Sequence, residues 1–327
     1  MKRRYNIIIN FIRRFNINLR VLSAFMFILS LATNLSADFR KTGTAGYSFL
    51  KIPSTARHAA MGESCGSLID HIGILPLFQN PAALGFQTSS SVGITYSPWI
   101  ADINHQLAGF CYVGKSIGNF GVGLNYLDYG NIPHTEQASG LGQYRELGTY
   151  SAQSVAIGLT YARKLTDKFA YGLRLNWVEE TIYHYSSSNV LMDVGVVYFT
   201  GFRSLRIGGF INNFGVDARF IGDTFKMPTE LRLSLAYDLL ENPNHFLTIT
   251  SELSHPSDNI EHIHVGAEYR FMQSVYLRAG YKYPYDEDDA SFGAGFYWKG
   301  NIFDVAALPF GRFPTVFRFS FQKELGR

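Results

Sequence analysis

From Ser89 onward apolar and polar residues alternate with a period of two, and this pattern limits the possible folds more than any other feature of the chain. In "LRLSLAYDL", Leu231, Leu233, Leu235 and Tyr237 fall on one face and Arg232, Ser234, Ala236 and Asp238 on the other. "HIHVGAEYRF" sets Ile263, Val265, Ala267, Tyr269 and Phe271 against His262, His264, Gly266, Glu268 and Arg270. "YGLRLNW" and "VFRFSF" repeat the scheme with Leu173, Leu175 and Trp177, and with Phe317, Phe319 and Phe321. One face is apolar and often aromatic; the other mixes small with charged residues.

This grammar yields fourteen strand segments, beginning near Ser90, His105, Gly118, Ser154, Phe169, Val190, Leu205, Thr229, Phe246, Glu261, Ser274, Ser291, Asn301 and Thr315. The links "GKSI", "KLTDK", "GFRS", "LENPNH", "FMQS" and "KGN" read as tight turns, whereas Asp128 to Tyr150 and Gly215 to Pro228 read as long loops. An even strand number with short turns at one end and long loops at the other predicts an all-β fold, a transmembrane antiparallel β-barrel of the outer-membrane type. Closure also removes the exposed edges that so many strands would otherwise present. Tyr126, Trp177, Tyr237, Tyr281 and Trp298 are the expected interfacial girdle residues, joined by "YHYSSS", Tyr183 to Ser188, leading into a polar loop.

The N-terminus predicts how the chain reaches such a membrane. Residues 1–37 carry Lys2, Arg3, Arg4, Arg13, Arg14 and Arg20 with no acid, then an apolar run from Val21 to Ala32 and "NLSA". A basic start, a short apolar core and a small residue at the end describe a secretory signal peptide. Its removal takes six positive charges from a formal net +3, leaving about −3 on the mature chain. The basic balance therefore belongs to the targeting segment, and nucleic acid is not an expected partner. The expected location is the outer membrane of a Gram-negative bacterium, with outer-membrane lipid and lipopolysaccharide as surroundings.

Between the signal and the first strand, residues 38–88 lack the long alternation, while 89–327 form the expected barrel. "GTAGYSF", "AAMGESCG" and "NPAALG" are rich in small residues, and Gly permits close backbone approach. Phe49, Leu50, Ile52, Met61, Leu75, Leu77 and Phe78 are too apolar for a free tail, so the segment is expected inside the barrel as a hatch, or plug. Strand phase points Cys111 inward, toward a hatch that holds Cys65; whether the two pair is left open.

"FLKIPSTARHAAMG", "QNPAAL", "WIADINH", "NNFG", "MPTELRLSLAYDLL", "VGAEYRF", "LRAGYKY" and "SFGAGF" together resemble the PorV/PorQ group of outer-membrane proteins, itself similar to the long-chain fatty-acid transporter barrels. The resemblance implies a fourteen-stranded barrel with an N-terminal hatch. Hatch positions on these motifs, with structural or gating roles, are Phe49, Pro53, Arg57, Met61, Gly62, Asp70, Asn80 and Pro81. It further implies an accessory of type IX protein secretion or surface attachment, with secretion-machinery proteins or cargo C-terminal signals as partners. The alternative is a passive, fatty-acid-transporter-like channel for hydrophobic small molecules. Broad external loops and a filled lumen go with partner binding; a lumen lined mainly by apolar side chains goes with solute passage. Two departures stand out: Asp70 is followed by His71 where the group has a second acid, and Phe321 lies six residues from the C-terminus.

Nothing points to an enzyme or a cofactor: H-E-x-x-H and a Gly-rich phosphate loop opening a helix are both missing. His262 and His264 share a face, but a polar lumen pair explains them better than metal ligation does. The charges expected in the lumen are Arg174, Asp193, Arg232, Glu252, Glu268, Arg278 and Arg318, either as mutually paired lining or as a path for an anionic ligand. Arg174 or Arg232 would then hold a carboxylate. "DEDD", Asp286 to Asp289, reads as a solvated loop tip.

Overall fold

The computed structural model describes residues 43–114, 116–138 and 143–326; the predicted signal peptide and the first residues of the hatch lie outside them. Fourteen strands close into one antiparallel barrel: β1 (Ser90–Pro98), β2 (Asn104–Val113), β3 (Asn119–Gln137), β4 (Tyr144–Thr166), β5 (Phe169–Ile182), β6 (Tyr185–Phe199), β7 (Arg206–Phe214), β10 (Glu230–Glu241), β11 (His245–Pro256), β12 (His262–Phe271), β13 (Val275–Tyr283), β14 (Ala290–Trp298), β15 (Asn301–Phe310) and β16 (Phe313–Leu325). A small hairpin, β8 (Ala218–Phe220) with β9 (Asp223–Phe225), occupies the link after β7. Each barrel strand pairs with its sequence neighbour, and β1 closes on β16 from Ser90↔Leu325 to Tyr96↔Phe319. Closure satisfies every strand's hydrogen-bonding edge, which a lipid environment demands. Among the described residues no helix is long and apolar enough to cross a membrane.

The period-two pattern is realised as an outer and an inner face. Ile94, Phe110, Val122, Leu159, Leu175, Leu233, Leu277, Phe292, Phe303 and Phe319 are all exposed on the outer wall. Their strand neighbours Thr95, Cys111, Thr160, Arg174, Ser234, Arg278, Asp304 and Arg318 are buried inside. A continuous apolar band on the outside of a closed barrel matches a wall that faces lipid.

The predicted long loop from Asp128 to Tyr150 is mostly strand: β3 and β4 stay paired out to Gln137↔Tyr144, with register shifts after Asp128 and His134. Alternation fades there because both faces of the hairpin leave the barrel, so the periodic signal that marks the wall is lost while backbone pairing persists. "YHYSSS" is likewise not a loop, since only Tyr183 and His184 turn the chain and Tyr185 to Ser188 begin β6. Tyr237 is buried beside a register shift between Asp238 and Leu240 instead of standing in the girdle.

Candidate functional site: the plugged lumen

The described N-terminal segment runs through the barrel. It begins at the end of the barrel that carries the long link between β7 and β10: Ala45 bridges Lys226, and Tyr47 and Phe49 pack with Leu127, Val178, Leu191 and Met227. A single helix, α1 (Ala56–Ala60), follows, with the Thr55 hydroxyl accepting the His58 amide at 3.2 Å. Short 3-10 turns at Leu75–Leu77 and Pro81–Phe86 then carry the chain to the short-turn end, where Asn119 donates to the Leu84 carbonyl at 2.7 Å. Asn80 starts the last turn: its side-chain oxygen accepts Ala82 N–H at 3.0 Å and its amide donates to Gly66 O at 2.7 Å.

The wall makes room with inward glycines. A Cβ at Gly280 would lie 2.0 Å from the Gly62 nitrogen, and one at Gly172 would lie 2.4 Å from the Pro81 carbonyl carbon. Real Cβ atoms do not approach so closely, so hatch backbone occupies the volume that wall side chains would fill.

Three layers follow along the lumen. At the loop end lies the apolar layer of Tyr47, Phe49, Leu127, Val178, Leu191 and Met227, with Leu50 and Ile52 against it. At the short-turn end Ile74, Leu77, Leu84, Cys111 and Ala162 form a second apolar layer. Between them the wall and hatch are tied by charge. Arg57 on α1 meets Glu268 at 2.7 Å and donates to the carbonyls of Asp70 and His71 at 2.7 and 2.9 Å. Glu268 also accepts from Arg278 at 2.6 Å, and Arg278 reaches Asp304 at 2.6 Å across the space left by Gly295. A second group centres on hatch residue Glu63, which meets Lys282 at 2.7 Å and Arg232 at 3.6 Å. Arg232 in turn pairs with Glu230 at 2.8 Å and Glu252 at 3.0 Å. Burial alone would raise the Glu63 pKa, but the charges of Lys282, His264 and Arg232 outweigh it and hold the carboxyl well below the usual range. Arg174 pairs with Asp193 and also donates to Leu77 O of the hatch.

All seven lumen positions expected from sequence are therefore buried inside, and Arg174 and Arg232 are each paired with carboxylates of the wall. Of the hatch positions, Phe49, Pro53, Arg57, Met61, Gly62, Asn80 and Pro81 are buried, whereas Asp70 is exposed, its carboxylate 3.8 Å from Arg206. Cys65 and Cys111 are both free and buried; the Cys111 thiol faces Gly73 O at 3.5 Å. "DEDD" is not a solvated tip throughout, because Asp288 folds back onto Lys282 and Glu287 onto Arg312. Lys282 and Asp304 are further inward charges, which strand phase aligns with Arg278 and Ala306; Glu63 carries no such signal because the hatch has no period.

Among the described residues no metal-ligating constellation assembles. Gly114 to Gly118 spells G-x-S-x-G, but it turns β2 into β3 and not a strand into a helix, as a nucleophile elbow must. His262 stacks on Tyr285 and His264 donates from Nδ1–H to Gly62 O, 2.9 Å away; among the described residues no three metal-ligating groups cluster.

No protein-family model matches the chain, and no curated protein matches it in sequence. Solved structures do match in fold. The toluene transporter TbuX of Ralstonia pickettii superposes with a TM-score of 0.56 at 13% identity, covering 84% of this chain and 98% of its own. The toluene transporter TodX of Pseudomonas putida gives 0.55 at 13%, over 82% and 96%. A FadL homologue of Pseudomonas aeruginosa gives 0.54 at 12%, over 84% and 98%. These are likenesses of the barrel fold, and they lie on the transporter side of the two functional expectations.

The type IX secretion reading is thereby corrected. The matches above a TM-score of 0.5 include two toluene transporters and a FadL homologue, and nothing in the comparisons supports the PorV/PorQ group. The broad partner-binding loop expected at Asp128 to Tyr150 is instead a paired hairpin.

Proposed function

We propose that the protein is a passive outer-membrane channel for small hydrophobic molecules, opened by movement of its hatch. The observation that carries this reading is the apolar layer at the loop end, where hatch residues Tyr47, Phe49, Leu50 and Ile52 meet Leu127, Val178, Leu191 and Met227 on the wall. A buried apolar surface at the mouth of a barrel is where an apolar solute leaves water, gaining about 25 cal/mol per Å² of surface buried. The likeness to barrels named as toluene transporters supports the same class of solute. The non-enzyme reading accords with that likeness.

Passage requires rearrangement. The cavity beneath the apolar layer, lined by Leu50, Ile52, His58, Phe78, Arg174 and Arg232, holds about 60 Å³. A dry cavity of about 150 Å³ takes a benzene-sized ligand. The solute therefore enters only as hatch residues yield, and the ion pairs of Arg57 and Glu63 set the resistance. Uptake of a monoaromatic hydrocarbon by cells with a lipopolysaccharide-coated outer membrane, with and without the protein, tests the reading. Accumulation should rise when the barrel is present; equal rates in the presence of barrel shown to be folded by heat-modifiable gel mobility would end it.

A further inference from the structure

The carboxylates buried among the described residues, Glu63, Asp193, Glu252, Asp258, Glu268 and Asp304, each lie within ion-pair distance of an Arg or Lys. Glu180 of β5 differs. It stands opposite Ser154 of β4 and Ser187 of β6, and residues directly opposite in antiparallel strands share a face, so all three point inward. The two serines are 0% and 5% exposed and Glu180 is half-buried, yet its partner is a hydroxyl: Ser154 Oγ–H donates to Glu180 Oε2 at 3.1 Å. That uses the one proton of Ser154, so the Tyr129 hydroxyl donates in turn to Ser154 Oγ at 3.3 Å. On the other flank Tyr47 of the hatch and Ser187 share a hydrogen bond of 3.0 Å. Among the described residues no Arg, Lys or His comes within ion-pair distance of Glu180. This belt sits directly on the apolar layer at the loop end. Tyr47 belongs to that layer and Tyr129 packs against it, and one inward step deeper on the same two strands come Ala156 and Val178, both in the layer.

Hydroxyl donors hold a carboxylate in place without cancelling its charge, and the rest of the lumen shows that this chain otherwise pairs its buried acids with cations. We infer that Glu180 receives the ammonium group of a hydrophobic amine entering the barrel mouth, while the solute's aromatic or alkyl body settles on the apolar layer one step below. An ammonium brings three N–H donors and a full charge, so its hydrogen bonds to a carboxylate are charge-assisted. The inference rests on the channel reading and adds a class of cargo to it: protonated organic amines beside neutral hydrocarbons.

The test uses the full-length folded barrel in detergent and isothermal titration calorimetry. Phenethylammonium and 2-phenylethanol are the probes, matched in apolar body and different in charge, and ethylammonium is the control for a cation without that body. The amine should bind about tenfold more tightly than the alcohol, the lower end for a charge-assisted hydrogen bond because Glu180 is only half-buried. Glu180→Gln should erase that preference, and Glu180→Asp should keep part of it. Glu179→Gln, one residue away and therefore on the other face of β5, should keep all of it. Heat-modifiable gel mobility checks that each variant is folded; should Glu180→Gln fail that check, Glu180→Asp decides, and an undiminished preference there would count against the site. A preference that survives Glu180→Gln, an equal fall of both probes in that variant, loss of preference in Glu179→Gln, ethylammonium binding as tight as phenethylammonium, or no binding of either aromatic probe would each overturn the assignment. Hydrocarbon uptake separates the two readings: uptake without amine preference removes only this inference, whereas no uptake removes the channel itself.

Discussion

The contact between Arg57 and Glu268 ties α1 to the wall, and its removal should unseat the hatch without melting the barrel. Both side chains are nearly inaccessible, at 4% and 8% exposure, so the pair works in a low-dielectric setting. Breaking a buried pair from one side costs about 3–5 kcal/mol. Here the lower end applies, because Glu268 keeps Arg278 at 2.6 Å. The two carbonyls that Arg57 serves, Asp70 O and His71 O, add about 1 kcal/mol more. Arg57→Gln should therefore cost about 4 kcal/mol, raising the hatch-open population roughly a thousandfold. Hydrogen exchange of the amides of Ala59, Met61, Gly62 and Glu63, which bond within the hatch, reads this directly, while strand amides serve as the internal reference. Glu268→Gln should have a similar effect, since it leaves Arg57 without a carboxylate. The double variant should recover at least about 1 kcal/mol relative to the sum, because neither side then holds an unpaired charge. Hatch exchange within threefold of the parent in both single variants, or strict additivity in the double, would refute the view that this pair latches the plug.

A steric wedge should act without touching charge: Gly280→Ala, whose Cβ would sit 2.0 Å from Gly62 N, should speed hatch exchange, while Gly209→Ala, with its nearest neighbour at 3.6 Å, should not. Equal behaviour of the two variants would contradict the close approach of hatch and β13. Acid should loosen the Glu63 contact late. Its carboxyl is held below its ordinary 4.5, so the stability it contributes is fully present above that pH and is lost as pH falls through the depressed folded value. Asp288 has the opposite sign: burial raises it, against the opposing pull of Lys282, from 3.8 to about 6, so its contribution is present below about pH 4 and is lost as pH rises through about 6. Glu63→Gln should flatten the pH dependence of hatch exchange below 4.5 and Asp288→Asn that between about 4 and 6; the same flattening from both variants would show the assignment to be wrong.

Local rules carry far in a barrel wall. Side chains alternate strictly along a strand, so the phase of Leu231, Leu233 and Leu235 or of Phe317 and Phe319 is enough to assign outer and inner faces, and it places Arg174, Glu252 and Arg318 inside together. The same rule locates strand number and order, because each strand pairs with its sequence neighbour. It stops where the wall stops. The hairpin beyond Asp128 keeps its backbone pairing after the alternation ends, and the sequence reads it as a loop. The hatch has no period at all, so its small and apolar residues announce burial but not the path, and Glu63 could not be matched to Lys282, 219 residues away, by any local signal. Whether a buried charge is paired is likewise a tertiary fact. Arg174 and Arg318 look alike as inward arginines on strands, yet Arg174 faces Asp193 across β5 and β6 while Arg318 faces His105 and the Ser54 carbonyl. Phase states which side of the wall a charge occupies; only closure of the barrel around its hatch decides what stands opposite, and the energy of a buried ion depends almost wholly on that neighbour.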